Sequence, residues 1–501
     1  MKSYLEFSGR IICGFTFIVL MSITGCSNKT EDSNQAAHVR NEQVQGSEKP
    51  NIIFFISDDQ DIYDYGCYGN DKVHTPSVDR LAKEGMLFSN AFTSQAICAP
   101  SRSQLLTGLY PIKNGCFANH TSVRPNIQSM TTKMQALGYE VVLAGKSHVK
   151  PPEVFEWDRE WAAVEKAGVP RKYLPMNSIE DYFKKSDRPF VMLMASYYPH
   201  SEYFKVDSAS AEDIKFFPFN EHQKSNKSFI LTKAGYYRSI EEEDTQLERV
   251  LEMVDTHLDN NTLFIYSADH GVSGKFTVKD VGLRVPLVAR WPGVIEPGST
   301  SKQLVHYVDI LPTFIDIAGG EPSSDLDGKS ILPIISGQES PVHEYVFGVR
   351  TNQNILVSEV FPSRMIRDIR YKYIRNFNSL EVIDQNLTGK ANVDYFIQRG
   401  ADAFNNEPFE ELYDLESDPF EQHNLINDPT LDHIKMRLKT ELFKWMKGQN
   451  DFLSEEPGNM PLITAKGKKG FKLDQDTRRR TIPDSLKNTL KEEDYLIIKH
   501  W

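Results

Sequence analysis

Short runs of consecutive apolar residues alternate with amphipathic stretches along most of this chain. Asn51-Ile-Ile-Phe-Phe-Ile-Ser57 is apolar at every interior position and ends against Asp58 and Asp59. A run with no polar alternation predicts a strand covered on both faces. Glu140 to Ala144, Phe190 to Ala195 and Leu263 to Ser267 read the same way. Helical spacing occupies 129–137 and 235–257, and a shorter helix opens at Thr75-Pro76, runs through Glu84 and stops at Gly85. Threonine supplies the cap there, proline needs no N–H partner in the first turn, and glycine ends the helix. Buried strands separated by helices predict an α/β fold, a large and mostly parallel β-sheet sandwiched by helices.

The pattern changes after about residue 340, where short β-like runs (Tyr345 to Val349, Tyr371 to Ile374) precede a helix at about 430–447. The resulting division is a signal at 1–26, a polar tether at 27–49, a large α/β domain at 50–340, a C-terminal α+β subdomain at 341–452 and a charged tail at 453–501. The tether lacks apolar periodicity and reads as disordered. The basic clusters of the tail, including Arg478 to Arg480, read as a solvated surface.

Composition narrows the function classes. The 501 residues are 40% hydrophobic and 25% charged, an ordinary soluble balance, with a formal net charge of −12. That charge argues against a general nucleic-acid partner but not against an anionic substrate held by a few local cations. At the N-terminus, Lys2 and Arg10 precede the apolar run Ile11 to Met21, too short to favour a membrane span and suited to a signal peptide. Ile23-Thr24-Gly25-Cys26 resembles a bacterial lipobox, so lipidation is expected on Cys26, with an ordinary signal cleaved near Gly25 as the alternative. The expectation is an exported, lipid-anchored protein of the periplasm or outer membrane. Serine at 27, rather than aspartate, leans towards the outer membrane. Cys67 and Cys116 read as free thiols, although an oxidising compartment permits them to pair.

Polar clusters fall just after the apolar strands: Asp58-Asp59, Lys146 with His148, His200, and Asp269-His270. Ligand sites in open α/β sheets lie beyond the carboxyl ends of the strands, so four segments are expected to converge on one edge. Clustered carboxylates require a cation to offset their repulsion, and oxygen ligands suit a hard ion.

Ala96-Ile-Cys98-Ala-Pro-Ser-Arg102-Ser-Gln-Leu-Leu-Thr107-Gly108 resembles in full the signature of the type I, formylglycine-dependent sulfatases of the alkaline phosphatase superfamily. The resemblance spans roughly residues 50 to 430 and includes Glu411-Leu-Tyr-Asp-Leu-Glu-Ser-Asp-Pro419. It implies an alkaline phosphatase-like fold and oxidation of Cys98 to formylglycine by a sulfatase-maturating enzyme. A hydrated aldehyde offers one hydroxyl to attack sulfur and a second whose deprotonation re-forms the aldehyde and ejects sulfate. An apolar helical pattern follows Cys98 and Pro100, so the nucleophile is expected near a helix N-terminus, where anions are favoured.

The resemblance implies Ca²⁺ bound by Asp58, Asp59, Cys98 as formylglycine, Asp269 and His270. Many relatives carry asparagine where His270 stands, and imidazole is a softer ligand for calcium. Gly145-Lys-Ser-His148 resembles the family's Gly-Lys-x-His element, with Val141 where threonine is usual and Ser147 where tryptophan is usual. Lys146 would hold sulfate oxygens, His148 would orient a formylglycine hydroxyl, and Arg102 would stabilise the modified residue. Lys275 in Gly274-Lys-Phe-Thr277 resembles the second sulfate-binding lysine. His200 in Tyr197-Tyr-Pro-His200 is the candidate acid for the leaving oxygen, with a structural histidine as its bland alternative. His120 could meet the sugar beside the sulfate.

The segment from Gly145 to Phe155 looks like that of the heparan N-sulfatase-like and polysaccharide-sulfatase group, whereas Asp269 to Pro286 is more like general O-sulfatases. The expected substrate is therefore a sulfate ester on a sulfated polysaccharide or oligosaccharide. N-sulfoglucosamine, aryl or choline sulfates, phosphate or phosphonate esters, and glycan binding without catalysis are the competing readings.

Overall fold

The computed structural model describes residues 49–117, 119–338, 341–350, 362–377, 408–451 and 453–454, with the backbone of 462–465 and 495–498. Residues 1–48, which carry the predicted signal, the tether and Cys26, lie outside the described residues, as does most of the predicted tail.

The strands β1 (Asn51–Asp58), β2 (Met86–Phe92), β3 (Glu140–Gly145), β4 (Arg159–Trp161), β5 (Phe190–Pro199), β6 (Thr262–Ala268), β7 (Arg284–Arg290), β8 (Ser299–Ser301) and β9 (Val305–His306) share one sheet. Their order is β4-β3-β5-β1-β6-β7-β2-β8, with β9 also on β2. From β4 to β6 neighbours run parallel, and β7 is antiparallel to both β6 and β2. The expected mostly parallel sheet is present, with a mixed edge.

Its burial explains the unbroken apolar runs. Ile52, Phe54 and Ile56 pack on one face of the sheet, and Ile53 and Phe55 on the other. Helices α1 (Pro76–Glu84), α2 (Cys98–Thr107), α3 (Met130–Ala136), α4 (Met176–Phe183), α5 (Lys227–His257) and α6 (Ile310–Ile317) cover both. Leu105, Met134 and Phe314 of α2, α3 and α6 join the first core, and Leu81, Ile179 and Leu247 of α1, α4 and α5 the second. Strands β1, β3, β5 and β6 therefore bury both of their side-chain rows, which period-two alternation would forbid.

Two local expectations are corrected. Helix α5 begins eight residues before the predicted start at 235, because Asn226 caps it by accepting from the Phe229 N–H at 3.2 Å. Thr75 precedes α1 but its hydroxyl makes no capping bond. Instead the buried Asp244 carboxylate of α5 accepts from the Ser77 N–H at 2.9 Å and the Val78 N–H at 3.2 Å. A distant acid has taken over the cap that a local threonine promises.

The C-terminal region forms the antiparallel sheet β10 (Val346–Arg350), β11 (Ser363–Arg367), β12 (Tyr371–Asn376) and β13 (Glu410–Asp414), in that order. Helix α7 (Asp432–Gly448) buries Leu438, Leu442 and Met446 against Val349, Ile366 and Tyr373. This is the predicted α+β subdomain. Cys67 and Cys116 form no disulfide; the Cys116 thiol lies 3.5 Å from the Thr121 carbonyl.

Candidate active site

Strands β3, β5, β1 and β6 lie side by side, and each ends in one of the predicted polar clusters. β1 delivers Asp58 and Asp59, β3 leads into Lys146, β5 into His200, and β6 into Asp269 and His270. Gly145 makes the turn out of β3 possible. Its φ is +105°, and a Cβ there would stand 2.1 Å from the Ala195 carbonyl oxygen. Cys98 is the first residue of α2, preceded by extended Ile97, so the thiol sits at the helix N-terminus as the motif predicts. Pro100 costs that first turn nothing, since its N–H would be unpaired anyway.

The side chains converge on position 98. The Cys98 sulfur lies 3.4 Å from His270 Nε2, 3.6 Å from Lys275 Nζ and 3.7 Å from an Asp59 oxygen. Lys275 donates to both Asp59 oxygens, at 3.0 and 2.7 Å. Asp269 accepts from the Asp59 N–H at 2.9 Å and from Arg102 Nε at 3.1 Å. Asp58 accepts from Arg102 Nη2 at 3.2 Å and pairs closely with Lys146. Cys98, Arg102, Asp58, Asp59, Asp269 and His270 are all buried. Three carboxylates thus face three cations in a water-poor space, where their interactions are stronger than at a surface.

The charges set one another's protonation. Burial opposes ionisation of Asp58, but Lys146 and Arg102 overcome it and hold the carboxyl well below its usual range. Burial likewise opposes Asp59, and His270 with Lys275 brings it down. Burial and Asp59 push the Cys98 thiol far above its usual value, so unmodified cysteine here is a poor nucleophile. Burial lowers the Lys275 ammonium, yet Cys98 and Asp59 together raise it above its ordinary value.

The remaining imidazoles lie around this cluster. His200 Nε2 is 3.5 Å from Asp59, while its Nδ1 lies 2.9 Å from Arg171 Nη2 and 2.6 Å from the Ser201 carbonyl. A neutral ring accepts from the guanidinium, and a protonated one donates to the carbonyl, so the ring has a partner in either state. His148 Nε2 meets His120 Nδ1 at 3.0 Å. His120 therefore stands behind His148, a place the sequence reading did not give it.

Asp59, Cys98, Asp269 and His270 each offer one ligand atom, all within 4.8 Å of one another. Two carboxylates and an imidazole beside position 98 fit a divalent cation, and the carboxylates fit a hard one. Asp58 stands outside this group of four, its oxygens turned to Lys146 and Arg102.

A family model described as Sulfatase matches residues 50–320, and one described as N-sulphoglucosamine sulphohydrolase, C-terminal, matches 268–388. This chain belongs to the sulfatase family. It is similar to a protein of Formosa agariphila named an ulvan-active sulfatase, 63% identical over 494 residues and covering 99% of each chain. Human N-sulphoglucosamine sulphohydrolase is 26% identical over 461 residues, covering 80% of this chain and 90% of its own. Among solved structures, a 2-O GAG sulfatase superposes with a TM-score of 0.65 at 20% identity, covering 87% of this chain and 97% of that one, and thereby shares the fold. The chain is accordingly a sulfuric ester hydrolase.

Sequence reasoning missed two polar partners of this sulfatase site. Arg171 holds His200 through Nη2 and also donates from Nε to the His200 carbonyl at 3.1 Å. Asn119 accepts from the Ala99 N–H at 3.3 Å and lies 3.4 Å from His120 Nε2. Arg171 sits in a loop with no motif around it, and Asn119 reads as a turn residue, so nothing local marks either. A backbone signal does exist in three dimensions: Asp59, His120, His148 and Phe276 all adopt positive φ, between 57° and 69°. Such strain in non-glycine residues concentrates at functional sites.

Proposed function

We propose that this sulfatase removes a sulfate ester from a sulfated polysaccharide or its oligosaccharides, using formylglycine at position 98 and a bound Ca²⁺. The observation that carries the reading is the Cys98 side chain at a helix N-terminus within 3.7 Å of an imidazole, an ammonium and a carboxylate. The Cys98 sulfur marks the place of one hydroxyl of a hydrated formylglycine. That modification supplies the attacking oxygen and a second hydroxyl through which sulfate can later be expelled. Asp59, Asp269, His270 and position 98 would hold the metal, with Asp58 a further ligand, and the metal supplies positive charge for sulfate oxygens.

The chain's own residues do the rest. Lys275, beside position 98, and Lys146, across Asp58, bind sulfate oxygens and stabilise charge that develops as the S–O bond to the sugar breaks. Arg102 ties Asp58 to Asp269 and so fixes the two carboxylates. His200 gives a proton to the leaving oxygen, and its contacts with Arg171 and Ser201 suit the ring before and after that transfer. With three carboxylates balanced by three cations, a divalent metal leaves the pocket net positive, ready for a sulfate monoanion.

The ulvan-active relative supports a glycan substrate, and the match to an N-sulphoglucosamine sulphohydrolase C-terminal model favours N-sulfate as the second reading. Conversion of Cys98 by a sulfatase-maturating enzyme, export and lipid anchoring through Cys26 complete the proposal, resting on the motifs alone. The test measures sulfate release from ulvan oligosaccharides, N-sulfoglucosamine and an aryl sulfate, with Cys98→Ala as control and peptide mass analysis at position 98. Release from the ulvan fragments that vanishes in the control supports the reading. Equal release by both proteins, or an unaltered thiol in active protein, overturns it.

A further inference from the structure

The His120–His148 pair shows a direction that the roles above do not use. Its origin is a backbone group whose polarity is beyond doubt, the Ala99 N–H, which donates to Asn119 Oδ1 at 3.3 Å. That bond orients the buried Asn119 amide so that its NH₂ faces His120 Nε2 at 3.4 Å. An amide nitrogen only donates, so His120 Nε2 accepts and the His120 proton resides on Nδ1. His120 Nδ1 then donates to His148 Nε2 at 3.0 Å. Burial and the neighbouring Lys146 push the His148 imidazole down to about 2, so it carries a single proton. With Nε2 accepting, that proton sits on Nδ1, which is buried and has no hydrogen-bond partner among the described residues.

We propose that Asn119 and His120 are positioning residues that lock the His148 proton on Nδ1, keeping one unpaired N–H donor ready for an oxygen of the sulfate or of residue 98. The relay runs one way, from a backbone N–H beside the nucleophile, out through Asn119 and His120, and back to His148. His120 and His148 both hold left-handed conformations, with φ of +64° and +57°, which are strained for non-glycine residues and tolerated where surrounding structure imposes them. A preformed donor in a dry pocket needs no reorganisation when charge develops on the oxygen it meets. The catalytic consequence rests on the reading of position 98 as the nucleophile; the proton's location does not.

The experiment labels histidine nitrogens with ¹⁵N in the full-length protein with Cys98 unconverted, and reads tautomers from long-range ¹H–¹⁵N couplings near neutral pH. The expected spectrum places the protons of both His120 and His148 on Nδ1. Asn119→Asp presents an oxygen where the NH₂ stood, and both protons are expected to move to Nε2. A wild-type His148 protonated on Nε2, or averaged between its nitrogens, overturns the proposal, as does a spectrum unmoved by Asn119→Asp. In the converted enzyme, Asn119→Asp is expected to lower kcat about 100-fold at unchanged KM, the scale of losing one such donor. His120→Asn, whose amide can occupy the place of Nδ1–H, is expected to stay within several-fold of wild type, and an equal loss in both variants overturns the relay. Absence of sulfatase activity in every protein would count against the function while leaving the tautomers readable.

Discussion

Two buried charge clusters in this molecule have nearly the same inventory. At the active site Asp58, Asp59 and Asp269 face Arg102, Lys146 and Lys275. Where the C-terminal sheet packs on the catalytic region, Asp280, Glu411 and Glu421 face Lys279, Arg367 and Lys372. Both carry three acids and three bases, and both include an acidic residue at positive φ, Asp59 at +65° and Glu421 at +55°. In both, burial would raise the acid and neighbouring cations pull one of them far down, Asp58 in the first and Asp280 in the second. A buried, charge-balanced cluster with one strained acid therefore does not by itself distinguish a site from a joint. The difference lies in what accompanies the charges. The active-site cluster holds a sulfur at a helix N-terminus and imidazoles that can carry protons. Lys372 is fully buried, donates to Asp280 at 2.8 Å and to Glu421, and has nothing near it that could react. One cluster connects two layers of the protein; the other surrounds a side chain that can react.

The same substitution in the two places should separate these roles. Lys372→Met leaves Asp280 and Glu421 short of a buried cation and is expected to cost about 3–5 kcal/mol of unfolding free energy, read by urea denaturation, with kcat of the folded fraction retained. Lys275→Met should do the reverse, lowering kcat for sulfate release about 10²–10³-fold with little change in the denaturation midpoint. If both variants lost stability alike and neither lost turnover, the contrast would collapse.

A third buried acid tests whether capping, rather than pairing, leaves a pH signature. Asp244 has no cation among the partners that set its protonation, and burial lifts it to about 6 despite the N–H groups of Ser77 and Val78. Its folded value thus exceeds the unfolded one of 3.8, so its contribution is complete below about pH 4 and lost as pH rises through 6. At about 1.4 kcal/mol per unit the loss is at most roughly 3 kcal/mol. Comparing denaturation of wild type and Asp244→Asn across pH 4 to 7 should show that slope in the first and not the second. The smallest effect is expected at the exposed pair Lys184–Glu180, one helical turn apart at 2.6 Å, where Lys184→Ala should leave the thermal midpoint unmoved.

Much of the architecture was legible because it rests on local pattern. The apolar runs at 51–57, 140–144, 190–195 and 263–267 became β1, β3, β5 and β6, since a strand buried on both faces cannot alternate. The polar residues just after them met at one sheet edge because parallel strands all end on the same side. β2 and β7 were less visible: Ser89 and Asn90 interrupt one, Pro286 the other, and both pair antiparallel at the mixed edge of the sheet. The cap of α1 was misread because Thr75 is a sound local candidate, whereas Asp244 is 167 residues from Ser77 in the chain.

By itself the chain's order of residues determined which side chains could do chemistry: a Cys-x-Pro-Ser-Arg motif, paired aspartates after a strand, and lysines beside histidine or glycine. Those are short-range properties, carried by covalent spacing and by hydrophobic periodicity. Which partners those side chains acquire was decided only by tertiary structure. Asp58 turned to Lys146 and Arg102, His200 found Arg171, and His148 found His120 and, through it, Asn119. Hydrogen bonds and ion pairs reach only about 3–4 Å, so they depend on how loops far apart in sequence are packed, and no spacing along the chain encodes that distance.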